Sequence, residues 1–102
     1  MDYDKVASDR AVAGAQYLDK YVPGWVQLLQ RPVSMASSRN CVLAQLFGRF
    51  RDGAQRLHLE ESVTLQLGFR ACSSELGHDM QKFSAYYKVL TKAWESEIAQ
   101  RK

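Results

Sequence analysis

A small all-α bundle, with three main helices and one or two short ones, is the fold this sequence predicts. Three observations predict it. Apolar residues recur every three or four positions in three stretches, led by Leu18, Phe47 and Leu90. Helix-ending or capping residues separate those stretches, among them Pro23-Gly24, Pro32, Asn40, Gly68 and Asp79. A single segment, Leu59 to Phe69, alternates with strand period. A lone strand would leave its backbone donors and acceptors without partners, so a helix is expected there instead.

The 102 residues suffice for one domain and one core. Hydrophobic residues make up 46% and charged residues 25%, enough apolar surface to offset the entropy of ordering the chain. Residues 1–102 therefore read as one helical domain, with 1–4 and 100–102 loose at the ends.

In chain order, the first helix is predicted from Asp4 to Val22, its apolar stripe Ala11, Ala15, Leu18 and Val22 widened by Ala13, Tyr17 and Tyr21. Pro23-Gly24 ends it, because proline cannot continue a helix and glycine tolerates the turn. Trp25, Val26, Leu28 and Leu29 suggest one or two helical turns, and residues 30–40 a loop rich in capping side chains. A central helix is predicted from Cys41 to Leu57 with Asn40 or Ser38 as its N-cap. Leu43, Phe47, Phe50, Ala54 and Leu57 form its apolar face, and Gln45, Arg49, Asp52 and Arg56 its polar face. Gly48 and Gly53 weaken that helix by roughly 1 kcal/mol each, which implies close approach by another helix or an aromatic ring. A short helix from Glu60 ends at Gly68, with Phe69 folding back on Val63. Residues 70–78 read as a loop. Asp79 caps the last helix, which presents Phe83, Tyr87, Leu90, Trp94 and Ile98 on one face through to Gln100.

Charge and motif content exclude more than they assign. The net charge of +3, from 14 basic and 11 acidic residues, permits a nucleic-acid partner without indicating one. No apolar run approaches the length of a membrane span, and the N-terminus lacks a basic and apolar leader, so a cytoplasmic protein is expected. Cys41 and Cys72 read as free buried thiols rather than a disulfide. Cys41, His58, Cys72 and His78 match no metal-finger spacing, so neither a metal nor any other cofactor is expected. Cys41 at a helix N-terminus, paired with His58 or His78, is the one nucleophile–base combination worth testing, since a helix dipole lowers a thiol's pKa. Its simpler reading is a small core residue beside Val42 and Leu43. Glu60-Glu61 complement a helix N-terminus, and the six scattered glycines form no phosphate loop. No enzyme is expected.

Residues 60–78 imitate a helix-turn-helix through Thr64 and Leu67-Gly68-Phe69, but Ser74 and Gly77 stand where aliphatic anchors are needed. On the central helix, Arg49 and Arg56 are offset by Asp52 at helical spacing, which suggests a solvated face with internal ion pairs. The aromatics are more suggestive. Trp25, Phe47, Phe50, Phe83, Tyr87 and Trp94 are expected to build the core, and a domain of this size cannot bury Tyr17, Tyr21 and Tyr86 as well. Tyr, Trp and Arg are typical interface residues. Tyr17, Tyr21, Trp25, Arg49, Arg56 and Tyr86 are therefore the candidate partner-binding residues, with Trp25 counted in both sets.

Four stretches carry a resemblance: Val22-Pro23-Gly24-Trp25, Asn40 to Gly48, Leu67-Gly68-Phe69, and Tyr87 to Trp94. Together they resemble a group of short uncharacterised proteins of actinobacteria and the phages that infect them, over about Gly14 to Ile98. The run Cys-Val-Leu-x-Gln-Leu-Phe/Tyr-Gly is the specific part, matched here from Cys41 to Gly48. Relatives often carry a second cysteine three positions earlier, where this chain has Ser38, so a metal or redox role built on that pair is not available here in the same form. The resemblance implies no activity; it implies a phage or mobile-element protein acting on host machinery. The expected function is thus non-enzymatic binding of a protein partner, with homo-oligomerisation allowed. A small DNA-binding regulator is the alternative, and a Cys41 enzyme comes third.

Overall fold

The longest two helices lie side by side and run in the same direction. A computed structural model describes residues 3–70 and 79–102 of the chain. It forms helices α1 (Tyr3–Tyr21), α2 (Trp25–Leu28), α3 (Val42–Phe47), α4 (Phe50–Arg56), α5 (Glu61–Gln66) and α6 (Met80–Arg101). Contacts in register establish the parallel pairing of α1 and α6. The Tyr3 ring meets Tyr86 edge-on at 6.0 Å, Gly14 faces Trp94, and Arg101 reaches Asp19 at 2.9 Å. Parallel neighbours need a crossover, and the chain between them supplies it, with the short helices α2 to α5 among its described residues.

Side-chain size explains why these two helices pair. The buried stripe of α1 is small, Ala7, Ala11, Gly14, Ala15 and Leu18. The facing stripe of α6 is bulky, Tyr86, Leu90, Trp94 and Ile98. Large residues of one helix fill the space that small residues of the other leave open, which preserves close packing. On α6 the most buried aromatic of the first turns is Tyr86, whereas Phe83 and Tyr87 are half-buried and pack on each other at 4.9 Å. Leu90, Trp94 and Ile98 face inward as the sequence predicts, and only in the first turns does Tyr86 take the inward place expected of Phe83 and Tyr87.

The connections are built from local chemistry. Val22-Pro23-Gly24-Trp25 is a type II turn: Gly24 sits at φ 78°, ψ 13°, and the Trp25 N–H donates to the Val22 carbonyl at 3.1 Å. Helix α5 ends as predicted, with Gly68 at φ 73°. The Phe69 N–H reaches the Thr64 carbonyl (2.9 Å) and the Gly68 N–H the Leu65 carbonyl (3.2 Å), a Schellman motif. The Phe69 ring stacks on Trp94 at 5.5 Å. The same motif closes α4 with His58 in the glycine-like conformation, φ 56°; there the Leu59 N–H donates to the Ala54 carbonyl at 2.8 Å. Asp79 caps α6 as expected, its Oδ1 accepting from the Gln81 and Lys82 amides.

The central helix predicted over 41–57 is two helices. Gly48 at φ 91° ends α3, and α4 folds back so that Gly53 lies against Phe47 and Leu43. One glycine makes the turn and the other makes room for the Phe47 ring. The predicted N-cap also differs. Cys41 occupies that position with no side-chain cap, and Ser37 Oγ instead accepts from the Arg39 and Asn40 amides. Gln45 organises the loop ahead of α3. Its Oε1 accepts from the Gln30 and Arg31 amides, both at 3.0 Å, and its Nε2 donates to the Asn40 carbonyl at 2.9 Å. The C-terminal turn, expected to be loose, is tied down through Arg101. Among the described residues no helix is long and apolar enough to cross a membrane.

Candidate functional site

The six candidate partner residues separate into two buried and four exposed or half-exposed. Trp25 and Tyr86 are each only 1% exposed and are withdrawn as contact residues. Both found polar partners for their hydrogen-bonding atoms, which is what lets such residues enter a core. The Trp25 Nε1 donates to Asp19 Oδ1 at 2.9 Å, and its ring meets Trp94 edge-on at 5.9 Å. The Tyr86 hydroxyl accepts from Arg10 Nη1 at 3.1 Å. Phe47, Phe50, Phe83 and Tyr87, expected in the core, pack around it half-buried.

Tyr17 and Tyr21 do stand together on α1. Their rings are 4.5 Å apart, the Tyr17 hydroxyl donates to the Leu57 carbonyl at 3.1 Å, and Lys20 Nζ lies 5.2 Å from the centre of the Tyr21 ring. Tyr17 is therefore fixed to the end of α4 and holds Tyr21, which remains 53% exposed. The pair is preorganised, so ordering it costs a partner little entropy.

Helix α4 supplies the charge beside that pair. Half of the eight arginines are structural. Arg10 serves Tyr86, Arg31 the Asn40 loop, Arg70 the α5 backbone, and Arg101 joins Asp19 and Glu97. The guanidinium groups of Arg39, Arg49, Arg51 and Arg56 are exposed and make no hydrogen bond or ion pair among the described residues. The internal ion pairs expected with Asp52 are absent from this face, although Lys5 and Asp9 pair at 3.1 Å on α1. Phe47, Asp52, Gln55, Arg56 and His58 line a shallow hollow of about 570 Å³ on α4. Sequence periodicity missed this grouping because it treats α3 and α4 as one helix. The two glycines five residues apart were the available signal.

Cys41 is buried and held towards its neutral thiol form. The thiol is 4% exposed, and burial pushes its pKa up, outweighing the helix-start amides of Ala44 and Leu43 that act in the opposite sense. The pocket it borders is lined by Met35, Ala36, Ser37, Ser38, Phe50, Phe69, Arg70 and Tyr87, with no histidine among these described residues. His58 lines the α4 hollow instead, and His78 and Cys72 fall outside the described residues. Ser74 and Gly77 of the helix-turn-helix comparison fall outside them too. Thr64 is buried and bonded to the Glu61 carbonyl at 2.6 Å.

At the far end of the α1–α6 pair, the bidentate Arg101 pairing holds Asp19 below the usual carboxylate range; burial opposes this and the Trp25 N–H adds to it. Arg101 stays charged throughout. A lowered folded-state value means that the stability contributed by Asp19 is complete above the unfolded carboxylate pKa of about 3.9. It is lost as pH falls through that value and below. Thermal melts between pH 7 and pH 3 should therefore show Asp19→Asn less stable than wild type at the neutral end, with the difference shrinking towards acid. A constant difference across the range would show that the carboxylate's charge is not the source.

Comparison with known proteins adds no relative: no family model, no curated protein and no solved structure matches the chain.

Proposed function

We propose that this chain acts without chemistry of its own, by binding a protein partner through the surface where the Tyr17–Tyr21 pair adjoins α4. One observation carries the reading. Tyr21 is half-exposed yet held in place by a neighbour bonded to another helix, with uncommitted arginines on that helix. A rigid aromatic beside free guanidinium groups is the composition that interface hot spots favour. Leu28, also 53% exposed, adds apolar area on the short helix that follows α1.

The DNA-binding alternative draws less support. Helix α5, which would anchor a reading head in residues 60–78, presents Glu60, Glu61, Ser62 and Gln66 outward, and carboxylates there would repel a phosphate backbone. The likeness to short actinobacterial and phage proteins belongs to the same proposal: it makes the partner a component of a bacterial host.

Affinity capture from an actinobacterial lysate tests it, with tagged wild type, Tyr21→Ser, and Lys88→Glu as a control on the exposed face of α6. A protein retained by wild type and by Lys88→Glu but lost from Tyr21→Ser, at unchanged melting temperature, is the expected result. No retained protein, or one indifferent to Tyr21, overturns the reading.

A further inference from the structure

We propose that α4 is also the contact between two copies of this chain, paired antiparallel about a twofold axis through the midpoint between Asp52 and Arg56. The inference rests on the partner-binding reading of this face and goes beyond it by naming one occupant.

The charges on α4 are self-complementary. Asp52 and Arg56 are four residues apart, on one side of the helix and about 6 Å apart along its axis. Acid first and base fourth is the favoured order for an intrahelical pair, yet neither makes an ion pair among the described residues. An isologous interface repeats each contact in reverse. With the axis midway between the two residues, Asp52 of one copy meets Arg56 of the other, and Arg56 of the first meets Asp52 of the second. Asp52 and Arg56 are then each paired in both copies by one symmetric contact. A parallel arrangement, or an axis half a turn away at Asp52 or at Arg56, would set like charges together.

Shape adds to charge. Asp52 and Arg56 both border the hollow whose other walls are Phe47, Gln55 and His58. The Arg56 stem of the second copy can lie along Phe47, the apolar wall of that hollow, while its head reaches Asp52. The alternation of signs also argues against a polyanion as occupant, since Asp52 interrupts the basic stripe between Arg49 and Arg56 where phosphates would run.

The test is charge reversal and its repair, read by sedimentation equilibrium over a range of concentrations. The single variants Asp52→Arg and Arg56→Asp should each weaken self-association by at least about tenfold, because each places like charges in contact twice. The double variant D52R/R56D restores opposite signs and should return to within about threefold of wild type. Raising salt should weaken the wild-type dimer. Helical circular dichroism guards against misfolding, and an equimolar mixture of the two single variants, which complement each other, should associate where neither does alone. A wild-type chain that stays monomeric, or a double variant as weak as the singles, overturns the proposal. Retention of a host protein through Tyr21 by a monomeric chain would do so while leaving the partner-binding reading standing.

Discussion

Truncating Trp94 to alanine is expected to cost about 3–5 kcal/mol, against a total of roughly 5–15 for a domain, and so to leave the chain unfolded or close to it. Trp94 is fully buried, with 0% exposure, and joins α1, the Trp25 turn and the end of α5. Its ring stacks on Phe69 and takes the edge of Trp25, and the far side of the indole lies over Gly14. Its Nε1 donates to the Gly68 carbonyl at 2.8 Å. Trp94→Phe separates the two contributions. The ring packing survives in part, while the Gly68 carbonyl loses its side-chain donor inside the core, a loss of about 1–3 kcal/mol. Urea unfolding followed by helical circular dichroism checks both values; a Trp94→Ala loss below about 1 kcal/mol would mean the core is organised around something else.

The residues around Trp94 show what the sequence could and could not reveal. Helices α1 and α6, the Gly68 terminus and the Asp79 cap were legible because each depends on period or on chemistry within a few residues. The two-part nature of 41–57 was not. Gly48 breaks the helix and Gly53 admits Phe47, and both roles appear only once α4 has folded back on α3. The burial of Tyr86 was hidden for a similar reason, since its hydroxyl depends on Arg10, 76 positions away. The aromatic count correctly implied that some tyrosine must remain outside, but which one is decided by tertiary partners.

The four stretches around Trp25, Cys41 to Gly48, Gly68-Phe69 and Trp94 have structural work in this chain. Trp25, Gly68-Phe69 and Trp94 meet at one point of the core. In the run from Cys41 to Gly48, Cys41, Val42 and Leu43 are buried, Gln45 ties the preceding loop, and Gly48 makes the turn. Phe47 of the same run does reach the proposed surface, as a wall of the hollow beside Asp52 and Arg56, whereas Tyr21, Asp52 and Arg56 themselves lie outside these stretches.

Gly14 provides the sharpest test of the packing, because propensity and tertiary contact predict opposite signs. In an open helix, glycine to alanine is stabilising by about 1 kcal/mol. Here a methyl group on Gly14 would run into the Leu67 carbonyl oxygen and come within 2.8–2.9 Å of Trp94 Cζ2 and Cη2. Neither can retreat easily. The Gly68 position beside that carbonyl is itself pressed against the Arg10 and Ala11 backbone, with only 2.9–3.0 Å for any added carbon, and Trp94 is bonded to the Gly68 carbonyl. Gly14→Ala is therefore expected to lose about 2–3 kcal/mol net, near the upper end of overpacking costs. Gly53→Ala is the control. Its methyl would meet the Phe47 ring at 2.9 Å and Leu43 Cβ at 3.1 Å; the half-buried Phe47 can turn aside while Leu43 gives only slightly, so the loss should be about 1 kcal/mol, smaller than at Gly14. Placing Gly14→Ala in a Trp94→Leu background should recover about 1 kcal/mol of coupling, because the methyl then has room on the indole side while the Leu67 carbonyl still opposes it. A Gly14→Ala chain more stable than wild type in urea would contradict the close parallel contact of α1 with α6 on which the fold depends.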